Sequence, residues 1–163
     1  MTHADHSLGA RLCSPPPFAI ARGKPTPAQR AGLRYEEKAL SYCEGWARVS
    51  GYSPLSKQWI EYRDLSGQVR WAEVDFLALS DTDDNLILVE LKIRHTRDAF
   101  PQLARYAKLL QRIYPERHIC PIEVCRYFDG TEYPVEILPT LRPHPHTCAA
   151  VIWEPPLFRE FNG

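Results

Sequence analysis

Apolar and polar positions fall into three strand-like stretches in the middle of the chain. Gln58–Asp64 (QWIEYRD) and Val69–Leu79 read as strands around a turn at Ser66-Gly67. The polar run SDTDDN at 80–85 then turns the chain into Leu86–Ile93. Connections this short predict an antiparallel meander. A helical period precedes it. From about Ala28 to Cys43, Leu33, Leu40 and Cys43 share one arc at about 100° per residue, with Glu36 inside the arc and Glu37 at its margin. Gly45 is expected to stop this helix, and residues 46–52 to add a short strand. A second helix is predicted over Asp98–Tyr114. Phe100, Leu103, Ala107, Leu110 and Tyr114 form one stripe along it, and Gln102, Tyr106, Leu109 and Ile113 an adjoining one. Pro101 suits its first turn and Pro115 ends it. A strand at about His118–Phe128, closed by an Asp129-Gly130 turn, comes next, then short strands at Tyr133–Leu138 and Cys148–Trp153.

Composition narrows the class. Residues 1–27, with prolines at 15–17, 25 and 27, carry no period and are expected to be a flexible arm or an extended wrap. Residues 28–163 then form a single domain with a C-terminal elaboration, long enough to bury a core. No apolar run reaches membrane-spanning length, and MTHADHSLGARL lacks the regions of a secretory signal, so a soluble, cytoplasmic protein without a membrane partner is expected. The five cysteines are widely spaced, form no CxxC pair and read as core thiols in a reducing compartment. His144, His146 and Cys148 lie in a Pro-rich loop without a partner cluster, and His3 and His6 are weaker metal candidates still. The formal net charge is zero, which excludes a global field drawing the protein to a polyanion. Locally, Arg94, Arg97, Arg105, Lys108, Arg112 and Arg117 face only Asp98 and Glu116. Over residues 1–31, Arg11, Arg22, Lys24 and Arg30 face only Asp5.

The chemistry concentrates in LILVELKI. Strand alternation puts Glu90 and Lys92 on one face and Leu91 on the other. A carboxylate and an ammonium continuing so apolar a run would be costly unless paired or metal-bound. Asp75, in AEVDFLAL, has the same problem one strand earlier. Asp75 and Glu90 are the minimum for one hard divalent ion, Mg2+ or Mn2+, with the Leu91 backbone carbonyl as third protein ligand and waters completing the shell. Lys92 is placed to orient a water or to stabilise phosphoryl charge; whether it acts as a base stays open. Glu36 can approach from the first helix, toward a metal-bound water or a second ion. The bland alternative is that Glu90 and Lys92 form a structural ion pair.

At these residues the sequence resembles the PD-(D/E)XK nuclease superfamily. The signature reads as Asp75, then Glu90-Leu91-Lys92 after 14 intervening residues, with Glu36 as the first-helix glutamate. Gln102-Leu-Ala-Arg-Tyr106 is similar to the QxxxY element of RecB-like and exonuclease-type members. Val74 stands where a proline often precedes the aspartate. The resemblance spans roughly residues 30–128. It implies an α/β fold with a restriction-endonuclease-like core, a mixed central sheet flanked by helices in the order αβββαβ. It also implies metal-dependent phosphodiester hydrolysis that leaves a 5′-phosphate, with one or two Mg2+ or Mn2+ ions. Glu36, Asp75, Glu90, Lys92, Gln102 and Tyr106 would be the catalytic residues, and Asp75, Glu90, Leu91 and Glu36 the metal set. Arg94, His95 and Arg97 would then meet the phosphates of the scissile strand. Arg105, Lys108 and Arg112 are weaker candidates for such contacts, and Trp59, Tyr62 and Trp71 either stack on bases or pack in the core. DNA is the expected substrate ahead of RNA, on ends or branched structures in phage DNA processing, recombination or repair. The chain would act as an oligomer or within a larger complex, in the host cytoplasm if phage-encoded. Endonuclease and exonuclease action both remain open. The alternative is a non-catalytic interaction module that keeps the fold.

Overall fold

The computed structural model describes residues 9–20, 23–129, 136–144 and 148–156. Among these, Arg11–Cys13 (β1), Pro27–Val49 (α1), Tyr52–Arg63 (β2), Val69–Ser80 (β3), Asn85–Arg94 (β4), Ala99–Ile113 (α2), His118–Tyr127 (β5), Ile137–Leu138 (β6) and Ala149–Ile152 (β7) are regular. The strands make one mixed sheet in the order β1-β2-β3-β4-β5-β7-β6. Pairing is antiparallel from β1 to β4 and parallel from β4 onward. From α1 to β5 the chain runs αβββαβ, the order of a restriction-endonuclease-like core. His3, His6, Arg22, Gly130, residues 133–135 and His146 lie outside the described residues.

Strand β4 shows why two helices are needed. Leu86 and Leu88 pack beneath α2, while Ile87, Val89 and Leu91 pack beneath α1, so both faces of the strand are apolar and both must be covered. Glu90 and Lys92 continue the series of Leu86 and Leu88. They therefore emerge on the α2 face at the end of a buried strand.

Helix α1 differs from its prediction at both ends of its stripe. Its buried face is Tyr35, Ala39, Cys43 and Ala47, while Leu33 is 49% exposed. Three of those four residues are small, which lets the helix lie close to the sheet. Glu36, beside Tyr35, is half-buried at the margin of the stripe. The helix does not stop at Gly45. An interior glycine costs about 1 kcal/mol, and Ala47, fully buried one turn from Cys43, offsets it. The stop comes at Ser50-Gly51, where Gly51 adopts φ 78°. Residues 46–49 are accordingly helix, and β2 begins at Tyr52.

Two irregularities in the meander create the site. The β3–β4 ladder runs from Leu79↔Leu86 to Phe76↔Val89 and ends there, just before Asp75 and Glu90 would pair. In β2–β3 the pairing skips Lys57, between Ser56↔Phe76 and Gln58↔Val74. Lys57 takes φ 51°, the one non-glycine residue with positive φ among those described. The kink has a packing consequence: Leu55 and Ile60 both join the core under α2 although five residues separate them. A regular strand would send them to opposite faces.

Candidate active site

Beyond Val89 the Leu91 amide has no β3 partner, and the Asp75 carboxylate takes that place. Leu91 N donates to Asp75 Oδ2 at 2.8 Å, which fixes the carboxylate at the fork between the strands. The other oxygen, Oδ1, accepts from Lys57 Nζ at 2.9 Å. Lys57 also lies 4.0 Å from Glu36 Oε2. Across the fork, Glu90 Oε1 is 2.7 Å from Lys92 Nζ and accepts from Gln102 Nε2 at 2.9 Å. Gln102 Nε2 also donates to Tyr106 Oη at 3.0 Å. Gln102 thus holds one glutamate oxygen, and Tyr106, one turn on, positions Gln102. Glu36, Asp75, Glu90, Lys92, Gln102 and Tyr106 all belong to this constellation.

The electrostatics are unbalanced. Glu90 is 3% exposed, and its Oε2 is buried with no hydrogen-bond partner in the protein. Burial first, and Asp75 second, raise its pKa to about 7 despite Lys92. Glu36 is raised as well, by burial and then by Asp75. Burial pulls Lys92 down, but Glu90, Asp75 and Glu36 outweigh it and the net shift is upward. The two partners of the Glu90–Lys92 pair thus respond oppositely. The desolvation penalty falls on the deeper glutamate, whereas Lys92, 30% exposed, keeps its proton and gains from three acids. Three carboxylates therefore share two ammonium groups, and the deepest one is left short of positive charge.

That donor set fits a hard divalent cation. It is all oxygen, anionic, and contains a buried oxygen without a partner. Among the described residues, no three His, Cys, Asp or Glu side chains form a ready-made cage. Lys57 and Lys92 lie against the carboxylates instead, so a cation would need the Leu91 carbonyl or waters beside Asp75 and Glu90. Two grooves lead to the site. One, of about 620 Å³, is lined by Lys24, Pro25, Gln29, Gly32 and Leu33 and reaches Glu36. The other, of about 360 Å³, is lined by Asp98, Pro101, Gln102 and Arg105.

The predicted phosphate contacts divide. Arg94 and Arg97 are exposed, Arg94 pairing with Asp129 at 3.1 Å. His95 is a correction. It is only 8% exposed, and its Nδ1 lies 2.7 Å from Glu123 Oε2. Its ring packs against Phe100 and Phe128, with centroids at 5.1 and 4.5 Å. Buried in this way, His95 does not reach a phosphate. Arg105 is exposed and lies over the Tyr106 ring. Trp59 and Trp71 make edge contacts with Phe18, Trp71 remaining exposed, and Tyr62 packs against the core under α2. All five cysteines are free thiols, three of them buried. His144 is hydrogen-bonded to Glu136.

Sequence reasoning missed two charged groups. Lys57 had no local signal except the odd spacing of Leu55 and Ile60. Glu123 sits in the apolar run HICPIEVC, where the reasoning that found Glu90 applies equally.

No protein-family model matches the chain, and no curated protein does. Among solved structures, the crystal structure of a repair endonuclease from Pyrococcus abyssi is similar over 83% of this chain, at 19% identity and a TM-score of 0.41. The chain spans half of that protein's length.

Proposed function

We propose that the chain is a divalent-cation-dependent deoxyribonuclease that hydrolyses phosphodiester bonds to leave 5′-phosphates. The observation carrying this reading is Glu90: a buried carboxylate with an unpartnered oxygen, its pKa near 7, opposite Asp75 where the sheet forks. Buried acids without compensation are costly, and such clusters concentrate where chemistry is done. Asp75 and Glu90 would hold Mg2+ or Mn2+, with the Leu91 carbonyl and Glu36, directly or through water. When bound, the ion supplies an activated water and neutralises charge on the phosphoryl oxygens.

The chain's own residues do the rest. Leu91 N orients Asp75, and Gln102, backed by Tyr106, orients Glu90. Lys92, 2.7 Å from Glu90 Oε1, would stand beside the ion and stabilise charge on the phosphoryl oxygens. Arg94 and Arg97 are exposed at and just past the end of β4 and would meet the phosphates flanking the cut. One groove ends at Glu36 and the other at Gln102, and an extended strand would lie along them. DNA is the favoured substrate over RNA, with recombination, repair or phage DNA processing in the cytoplasm as the setting. An oligomer or a larger complex would supply the binding surface that a neutral chain lacks. Among the described residues, no helix is long and apolar enough to cross a membrane.

One observation favours a second reading, that of a non-catalytic module. Lys57 and Lys92 already pair with Asp75 and Glu90, as in a structural ion network. Incubating the protein with linear, circular, single-stranded and branched DNA, and with RNA, in Mg2+ decides between the two. EDTA-sensitive cleavage that leaves 5′-phosphates, lost in Asp75→Ala, supports the nuclease. No cleavage of any substrate by folded protein supports the module.

A further inference from the structure

Lys57 is the strained residue of this fold, and its strain faces the site. It interrupts a ladder that is regular on both sides of it, in a left-handed backbone conformation that lysine rarely adopts. The interruption places its ammonium 2.9 Å from Asp75 Oδ1 and 4.0 Å from Glu36 Oε2, bridging acids contributed by β3 and α1. The side chain is 41% exposed. Its partner Asp75 is 13% exposed, so the pair is only partly open to water and offsets part of the cost of that conformation. Three further observations point beyond a structural role. Lys57 lies on oxygens that a cation bridging Asp75 and Glu36 would use. Its exposure and long flexible stem let it leave them without any backbone movement. The groove lined by Lys24, Gln29 and Gly32 ends at Glu36, so a strand lying there brings its phosphates to within reach of a released Lys57.

Resting on the nuclease reading of this site, we propose that Lys57 is a positioning residue with two alternating partners. Without a divalent ion it holds the Asp75 and Glu36 carboxylates together as a tethered cation. When the ion binds, it is displaced and receives a substrate phosphate on the α1 side of the cut. Lys92, already committed to Glu90, stays in place throughout. No bond is made or broken at Lys57; one ammonium exchanges a carboxylate partner for a phosphate.

The test compares wild type with Lys57→Met and Lys57→Arg, measuring Mn2+ affinity by calorimetry without DNA and then the KM and kcat for DNA cleavage. Removing the competing ammonium should tighten Mn2+ binding about three- to tenfold. The same change should raise KM roughly tenfold while altering kcat less, and Lys57→Arg should restore KM. If Lys57→Met does not fold, Lys57→Gly removes the same charge and accepts the positive φ. Wild type that binds Mn2+ and cleaves, with affinity and KM unchanged in Lys57→Met, overturns this role and leaves the nuclease standing. Wild type that neither binds Mn2+ nor cleaves overturns both.

Discussion

Two glutamates face each other across β4 and β5, Glu90 and Glu123, paired in register and on the same face of the sheet. Both are buried, both have a basic partner at 2.7 Å, and both leave one oxygen without a protein hydrogen bond. Burial raises the pKa of each. Their surroundings differ. Glu123 is sealed: His95 caps it, and Phe100 and Phe128 close over His95. Glu90 opens onto Asp75, Glu36 and two half-exposed lysines at a fork between strands. A buried acid alone is therefore no mark of function. Neighbours open to solvent, and an excess of negative charge that a proton or an outside cation can balance, separate the candidate site from a core ion pair.

The comparison is tested most severely by activity. Asp75→Ala or Glu90→Ala should reduce DNA cleavage on the order of 10³-fold or more, and Lys92→Met by about 10²- to 10³-fold. Glu123→Gln should leave cleavage per folded molecule within a few-fold of wild type. A Glu123→Gln variant that melts normally yet loses activity like Glu90→Gln would place Glu123 in the site and erase the distinction.

Stability should behave in the opposite sense. Glu123→Ala leaves a buried histidine without its carboxylate and should destabilise the fold by about 2–4 kcal/mol in denaturant titration. Glu90→Gln removes an undercompensated buried charge and should stabilise the metal-free protein at pH 8, by up to about 3 kcal/mol.

The pH dependence follows from the same shift. A carboxyl whose pKa is raised on folding contributes stability that is fully present below its unfolded value. That contribution is lost as pH rises through the folded value. For Glu90 the window runs from 4.5 to about 7. Melting curves of the metal-free wild type should fall across it, and those of Glu90→Gln should be flatter. The smallest expected effect concerns strain, which accompanies the open site and not the sealed pair. Lys57→Gly should be more stable than Lys57→Met by about 1 kcal/mol, since both lack the ammonium and only glycine relaxes the positive φ.

Much of this could be read from the chain because it rests on period. The alternation in LILVELKI places Glu90 and Lys92 together, and the Gln102–Tyr106 spacing puts both on one helical turn. Features set by tertiary packing could not be read that way. The buried stripe of α1 keeps the predicted Cys43 but sets Tyr35, Ala39 and Ala47 beside it where the larger Leu33 was expected, because closeness to the sheet outweighs side-chain size. Gly45 is a breaker by propensity, but Ala47 beyond it is buried and the helix continues. His95 follows β4 directly in sequence, which suggested a phosphate contact. The partner that removes it from solvent, Glu123, lies 28 residues away on β5. Lys57 was the hardest to find, because its position depends on a break in pairing between β2 and β3 that no local pattern announces.

The most direct measurement is an anomalous-difference map from crystals of the wild-type protein grown with Mn2+. A peak between Asp75 and Glu90, within roughly 2.0–2.3 Å of an oxygen of each and absent in Glu90→Gln crystals, is the expected result. A map with no peak there at saturating Mn2+, with Lys57 still seated on Asp75, would contradict a cation-dependent site.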